Sequence, residues 1–255
     1  MLLAASPARA DGAKSYFEIV REKPKCTGGE CFIEYVVLSD GTVVRKQIDK
    51  AQEDAAATMS VGKVGDTGGL FAKAAALFKG AGSAASRSAG PDNVFFYDGE
   101  KFYSYGSTDP DAPAYLALFQ DVKAAFAKAA PAPDFYAHVY YTPLTGNTRD
   151  FHVFSDGTVI ASMFGKDTYI IIYTYVTATA ADEIANLRKL GAEAVKSPSA
   201  DYKKCAPASG IDYGFVEMKI DGGYIRSYTC GDGNDGVASL FRHVRAAFDG
   251  IRPAR

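Results

Sequence analysis

The sequence echoes itself, and this constrains its fold more than any other feature. Ser39-Asp40-Gly41-Thr42-Val43 recurs as Ser155-Asp156-Gly157-Thr158-Val159, an offset of 116. Val94 to Tyr105 and Glu217 to Tyr228 both place Asp-Gly between alternating stretches and both end in Ser-Tyr. Leu118, Phe119, Val122, Ala124, Ala125 and Phe126 match Leu240, Phe241, Val244, Ala246, Ala247 and Phe248 at an offset of 122. Three matches in one order, with a slowly drifting offset, point to two copies of one fold unit, residues 11–130 and 134–252.

Local patterning says what that unit contains. Residues 15–22, 31–38, 42–48 and 58–64 are rich in β-branched and aromatic residues bounded by Gly and Asp, which predicts strands. Asp40-Gly41 predicts a hairpin with a primed turn, since both residues tolerate positive φ. A helix is expected over 67–79, where Leu70, Phe71, Ala74, Leu77 and Phe78 form one stripe. A Gly/Ala/Ser loop at 80–92, a hairpin over 94–105 turning at Asp98-Gly99 and a closing helix over 114–128 complete the first copy.

The second copy repeats the order. Its strands are expected near 134–141, 150–155, 158–164 and 168–176, its hairpin over 211–220 and 223–229, and its helices over 180–194 and 237–249. Thr179-x-x-Asp182 resembles a capping box at the start of the first of these helices. Ala130-Pro131-Ala132-Pro133 is the expected linker, because a residue before proline avoids helix. The expected fold class is therefore α+β, two tandem β-β-β-β-α-β-β-α units, each an antiparallel sheet with helices on one face.

Composition narrows the function classes. The chain has 255 residues, 47% hydrophobic, enough for a sizeable core without staples. Its net charge of −2 gives no basic surface for nucleic acid. No apolar run approaches the roughly 18 residues of a membrane-spanning helix, so no transmembrane segment is expected.

Residues 1–10 end in Ala8-Arg9-Ala10, the small-x-small pattern of a signal-peptidase site. They are expected to be the remnant of a signal peptide, with Asp11 as the mature N-terminus; the alternative is an Ala-rich tail. The four cysteines fit an oxidising compartment, periplasmic or secreted. The preferred pairing is Cys26–Cys31, across a Gly-Gly turn, with Cys205–Cys230. Zinc is the rival: Cys26 and Cys31 have four intervening residues, but Cys205 and Cys230 form no second close pair.

Few residues point to chemistry. Gly231 to Gly236 spells G-x-G-x-x-G, but the strand before it belongs to a hairpin, so a helix-capping loop is the better reading. Asp232, Asn234 and Asp235 do not follow the spacing of an EF-hand calcium loop. His138 and His152 become neighbours if residues whose numbers sum to 290 face each other across a hairpin. Two imidazoles could bind a metal, but a third ligand is needed and none is evident. The aligned positions of the first copy carry Val20 and Val36, so the histidines read as surface or half-buried residues without a role. His243 is expected on the solvent side of the last helix. Asp40 and Asp156 could act as an acid/base pair, though the hairpin turns alone explain them. Neither a cofactor nor a metal is expected, and no catalytic residue can be named. Tyrosines do cluster: Tyr136 and Tyr140 share one strand face, and Tyr169, Tyr173 and Tyr175 alternate on one face of another strand, with Ile171 between. Such aromatic strips suit a binding surface, and these five are its candidates.

The Cys26 to Cys31 turn, Phe32-Ile33-Glu34-Tyr35, Asp40-Gly41-Thr42-Val43 and Asp98-Gly99 together resemble an uncharacterised domain of exported bacterial proteins. The second copy departs from it in lacking the cysteines between Thr142 and Arg149. The family's turn is also tighter and carries a proline absent here. The resemblance implies export and assigns no activity. The expected function is a non-enzymatic binding or envelope-interaction module, its partner unknown but of the class of another envelope protein or a glycan. The alternative is an envelope hydrolase with a site at the junction of the two copies.

Overall fold

A computed structural model describes residues 14–49, 57–80, 93–98, 102–132, 134–142, 147–165, 171–196, 213–230 and 236–251. The expected leader lies outside these residues. The chain divides into two compact units, one of Lys14–Pro133 and one containing Asp134–Arg255.

The first unit holds strands β1 (Tyr16–Glu22), β2 (Phe32–Leu38), β3 (Thr42–Ile48) and β4 (Ala57–Lys63), then helix α1 (Gly68–Gly80). Strands β5 (Asn93–Tyr97) and β6 (Phe102–Gly106), helix α2 (Ala112–Phe126) and the short β7 (Ala130–Pro131) follow. Its sheet runs β6-β5-β1-β2-β3-β4-β7, every pair antiparallel. Strand alternation turns Phe17, Ile19, Ile33, Tyr35 and Val37 onto one face, where they pack with Leu70 of α1 and Tyr115, Phe119 and Val122 of α2.

The second unit holds β8 (Phe135–Thr142), β9 (Thr148–Phe154), β10 (Thr158–Phe164), β11 (Ile171–Ala178) and helix α3 (Ala181–Val195). The hairpin β12 (Tyr213–Ile220) and β13 (Gly223–Cys230) and helix α4 (Gly236–Phe248) complete it. Its sheet runs β11-β10-β9-β8-β12-β13, again all antiparallel. Read from the other edge, it has the strand order of the first sheet without β7. The odd-numbered residues of β8, Phe135 to Tyr141, join Val216 and Met218 of β12, Leu187 of α3 and Phe241 and Val244 of α4 in one core. Gly214 lets α4 come this close, since a Cβ there would sit 2.1 Å from the Phe241 ring. The even-numbered residues of β8 point to the opposite face.

The two Asp-Gly-Thr-Val turns are built alike, though not as primed turns. Gly41 and Gly157 have φ of 90° and 86°, while Asp40 and Asp156 do not share a positive φ. Each aspartate instead accepts the backbone N–H two residues on, Thr42 to Asp40 at 2.8 Å and Thr158 to Asp156 at 3.0 Å. Each glycine carbonyl takes an N–H from a neighbouring segment, Val64 at 2.8 Å and Thr179 at 2.7 Å. The primed turn occurs at Asp221-Gly222, where both residues have positive φ (44° and 83°).

Two other expectations change. Ala130-Pro131 is not a plain linker: as β7 it pairs with Lys63 and Gly62 at the end of β4. Helix α3 starts after Ala180, without a side-chain cap. The backbone N–H of Thr179 is already engaged with Gly157, which holds that residue outside the helix.

Candidate functional site

On the face of the second sheet opposite α3 and α4, the β8–β9 register sets His138 directly opposite His152, the pairing expected from the sequence. Their rings stack at 4.4 Å with an interplanar angle of 9°. Asp150 lies two residues before His152 on the same strand face and receives both imidazoles. His138 Nε2 is 2.7 Å from its Oδ1, and His152 Nε2 is 3.4 Å from its Oδ2. The other ring nitrogens face oxygens as well. His152 Nδ1 is 2.6 Å from the Tyr136 hydroxyl, and His138 Nδ1 is 3.7 Å from Glu217 Oε2.

Glu217 enters from β12, opposite His138. Its carboxylate is fully buried and is held by two groups of β13. Tyr224 donates its hydroxyl proton to Oε1 at 2.7 Å, and Arg226 Nε lies 3.8 Å from the same oxygen. Phe215 closes one side of the cluster, its ring edge-on to His138, with the Arg226 guanidinium over it at 5.6 Å. His152 is 3% exposed and Glu217 0%, while the His138 and Asp150 side chains keep 15% and 14%.

Burial disfavours both charged forms here, and mutual pairing overrides it. Burial alone would lower the His138 pKa; the Asp150 charge and hydrogen bond, with Glu217 behind them, push it up to about 10. Burial alone would raise the Asp150 pKa; the two imidazoles hold it well below the usual carboxylate range. The network is thus an ordered set of donors and acceptors aimed at one another.

Asp150 is the third potential metal-ligating group that histidine spacing did not reveal: His138, Asp150 and His152 offer ligand atoms all within 4.8 Å of one another. The first sheet carries different chemistry at the matching places. Glu18, flanked by Val36 and Tyr97, stands where His138 stands, rather than Val20. Val36 does replace His152, and Glu34, ion-paired to Lys46 at 3.6 Å, replaces Asp150.

The described members of the expected tyrosine surface do not share one face. Tyr136 is 2% exposed, because its even-numbered position turns its hydroxyl toward His152. Tyr140 is half-buried on the same face. Tyr175 is half-buried but pairs with Ala161, a core residue of the helix-covered face, so it lies on the other side of the sheet. Tyr169 lies outside the described residues, as does the side chain of Tyr173. Cys26–Cys31 is a disulfide with Cα atoms 5.3 Å apart. Cys205 and the side chain of Cys230 are outside the described residues, and so is the stretch 231–235. His243 is not simply solvent-facing: its Nε2 lies 2.6 Å from Glu183 Oε1 and ties α4 to α3. Asp40 is occupied by Lys14, Lys63 and its own turn, and Asp156 caps the matching turn.

No family model matches the chain, and no curated protein matches it.

Proposed function

We propose that this chain works in an oxidising compartment, periplasmic or secreted, as a non-enzymatic binding module whose binding centre is the imidazole–carboxylate cluster of the second unit. The Cys26–Cys31 disulfide supports the compartment, as does the resemblance to domains of exported proteins. The observation that carries the binding centre is the convergence of two stacked imidazoles on one carboxylate, with His152 hydrogen-bonded from behind by Tyr136 and Glu217 3.7 Å behind His138. Such preorganisation lowers the cost of taking up a ligand.

Electrostatics favour binding over hydrolysis. A general acid or base works best with a pKa near the operating pH. His138 is pushed up to about 10 and Asp150 is held far down, so each resists giving up or taking a proton at neutral pH. Exposure of only 15% and 14% at His138 and Asp150 suits a very small ligand better than a glycan or a peptide.

Thermal-shift measurements on the full chain test this reading, using divalent cations, small anions, glycans and peptides against the wild type and Asp150→Asn. The expected result is stabilisation by one ligand class, lost in the variant. Equal shifts in both proteins, or turnover of a model ester or glycoside that D150N abolishes, would contradict it.

A further inference from the structure

Resting on the cluster as the binding centre, we infer that its ligand is a single divalent transition-metal ion of the zinc class, held by His138 Nε2, His152 Nε2 and a carboxylate oxygen of Asp150. The three electron-pair donors converge on one region from two adjacent strands, with both imidazoles meeting the carboxylate at 2.7 and 3.4 Å. A cation is the natural occupant of such a convergence. Ligand atoms about 2.0–2.2 Å from a shared ion lie roughly 3–3.5 Å from each other. The separations found, none above 4.8 Å, reach that range through small side-chain rotations.

A second feature points the same way. A metal-bound imidazole needs its remote nitrogen anchored, which fixes the tautomer and turns the other lone pair to the metal. His152 has that anchor at Nδ1 in the Tyr136 hydroxyl at 2.6 Å, and the Glu217 carboxylate lies 3.7 Å behind the Nδ1 of His138, at ion-pair distance. Glu217 lies behind the ring and is itself held by Tyr224, so it is a positioning residue and not a ligand.

The donor set selects the ion. Metal binding must displace the proton that His138 otherwise holds; two neutral nitrogens and one carboxylate then suit zinc, copper, nickel or cobalt, whereas calcium and magnesium demand more oxygens than are gathered here. The partial exposure of His138 and Asp150 leaves room for a water as fourth ligand. The first sheet has Glu18 and Val36 at the matching places, so among the described residues the cluster accounts for one ion.

Titration of untagged, disulfide-intact full chain with Zn²⁺ in competition with a chromophoric chelator tests the inference. Wild type is expected to take up one ion that excess Mg²⁺ or Ca²⁺ does not displace, and His152→Gln and Asp150→Asn to lose it. Tyr136→Phe should weaken it by about 10- to 100-fold, as loss of an outer partner does. Should the ligand variants fold poorly, ¹⁵N spectra of unmutated protein serve instead. Zinc is then expected to shift the Nε2 resonances of His138 and His152 while their Nδ1 remain protonated. Equal uptake by wild type and both ligand variants, or unmoved Nε2 resonances, would overturn the metal assignment. If zinc fails but another ligand class still stabilises wild type and not D150N, only the metal identity falls. If no ligand depends on Asp150, the binding centre falls with it.

Discussion

At the level of single residues, position on the pleat decides what each polar group can do. Asp150-Phe151-His152 was legible as a unit, because residues two apart share a strand face, and the spacing could have named Asp150 as the missing partner. Glu217 was not legible: nothing local to it announces that β12 pairs with β8 across more than 70 residues of chain. Tyr136 illustrates the reverse error, an amphipathic ring that composition marks for the surface and that register turns inward. Its hydroxyl is the near partner of a buried imidazole nitrogen, so Y136F should destabilise the second unit by about 1–3 kcal/mol, read by urea denaturation. A second expectation concerns pH in the metal-free protein. His138 is raised from 6.5 to about 10 on folding, so its contribution to stability is complete below about pH 6.5. It is lost as pH rises toward 10, through deprotonation of the folded imidazolium. Denaturation midpoints measured across that range should fall for wild type and stay flatter for His138→Gln.

The secondary elements were the most legible level, because strand alternation and Asp-Gly punctuation act over a few residues. The expected strands and helices are found, with ends shifted by a few residues at most places. What escaped was lateral pairing. Gly157 and Thr179 bond side to side, which moves the start of α3, and β7 forms from a segment whose prolines read as linker. The turn glycines give a graded test. A Cβ at Gly41 would lie 2.5 Å from the Val64 carbonyl oxygen, and one at Gly157 2.6 Å from that of Thr179. Gly222 has a similar φ of 83° but open space around it. Gly222→Ala should therefore cost only the left-handed backbone penalty, about 1–2 kcal/mol. Gly41→Ala and Gly157→Ala should cost clearly more in the same denaturation assay, since a backbone oxygen must also move.

For the whole molecule, the chain divides into two units whose sheets follow one strand order, with different polar residues on the strands at the same places in that order. The Cys26–Cys31 disulfide belongs to the first unit alone. It closes a short loop, and cutting it should lower that unit's stability by about 2 kcal/mol. Hydrogen exchange on a Cys26→Ser, Cys31→Ser variant should show faster exchange around β1 and β2, with β8 to β10 unchanged. No described helix is long and apolar enough to cross a membrane, and the near-neutral charge leaves the imidazole–carboxylate cluster as the chemically distinctive feature of the described chain. X-ray absorption at the zinc edge, on full chain loaded with one equivalent, addresses that cluster most directly. Only nitrogen and oxygen neighbours are expected, at about 2.0–2.2 Å, with the outer scattering of two imidazoles. A sulfur shell at about 2.3 Å, or no imidazole scattering, would contradict it.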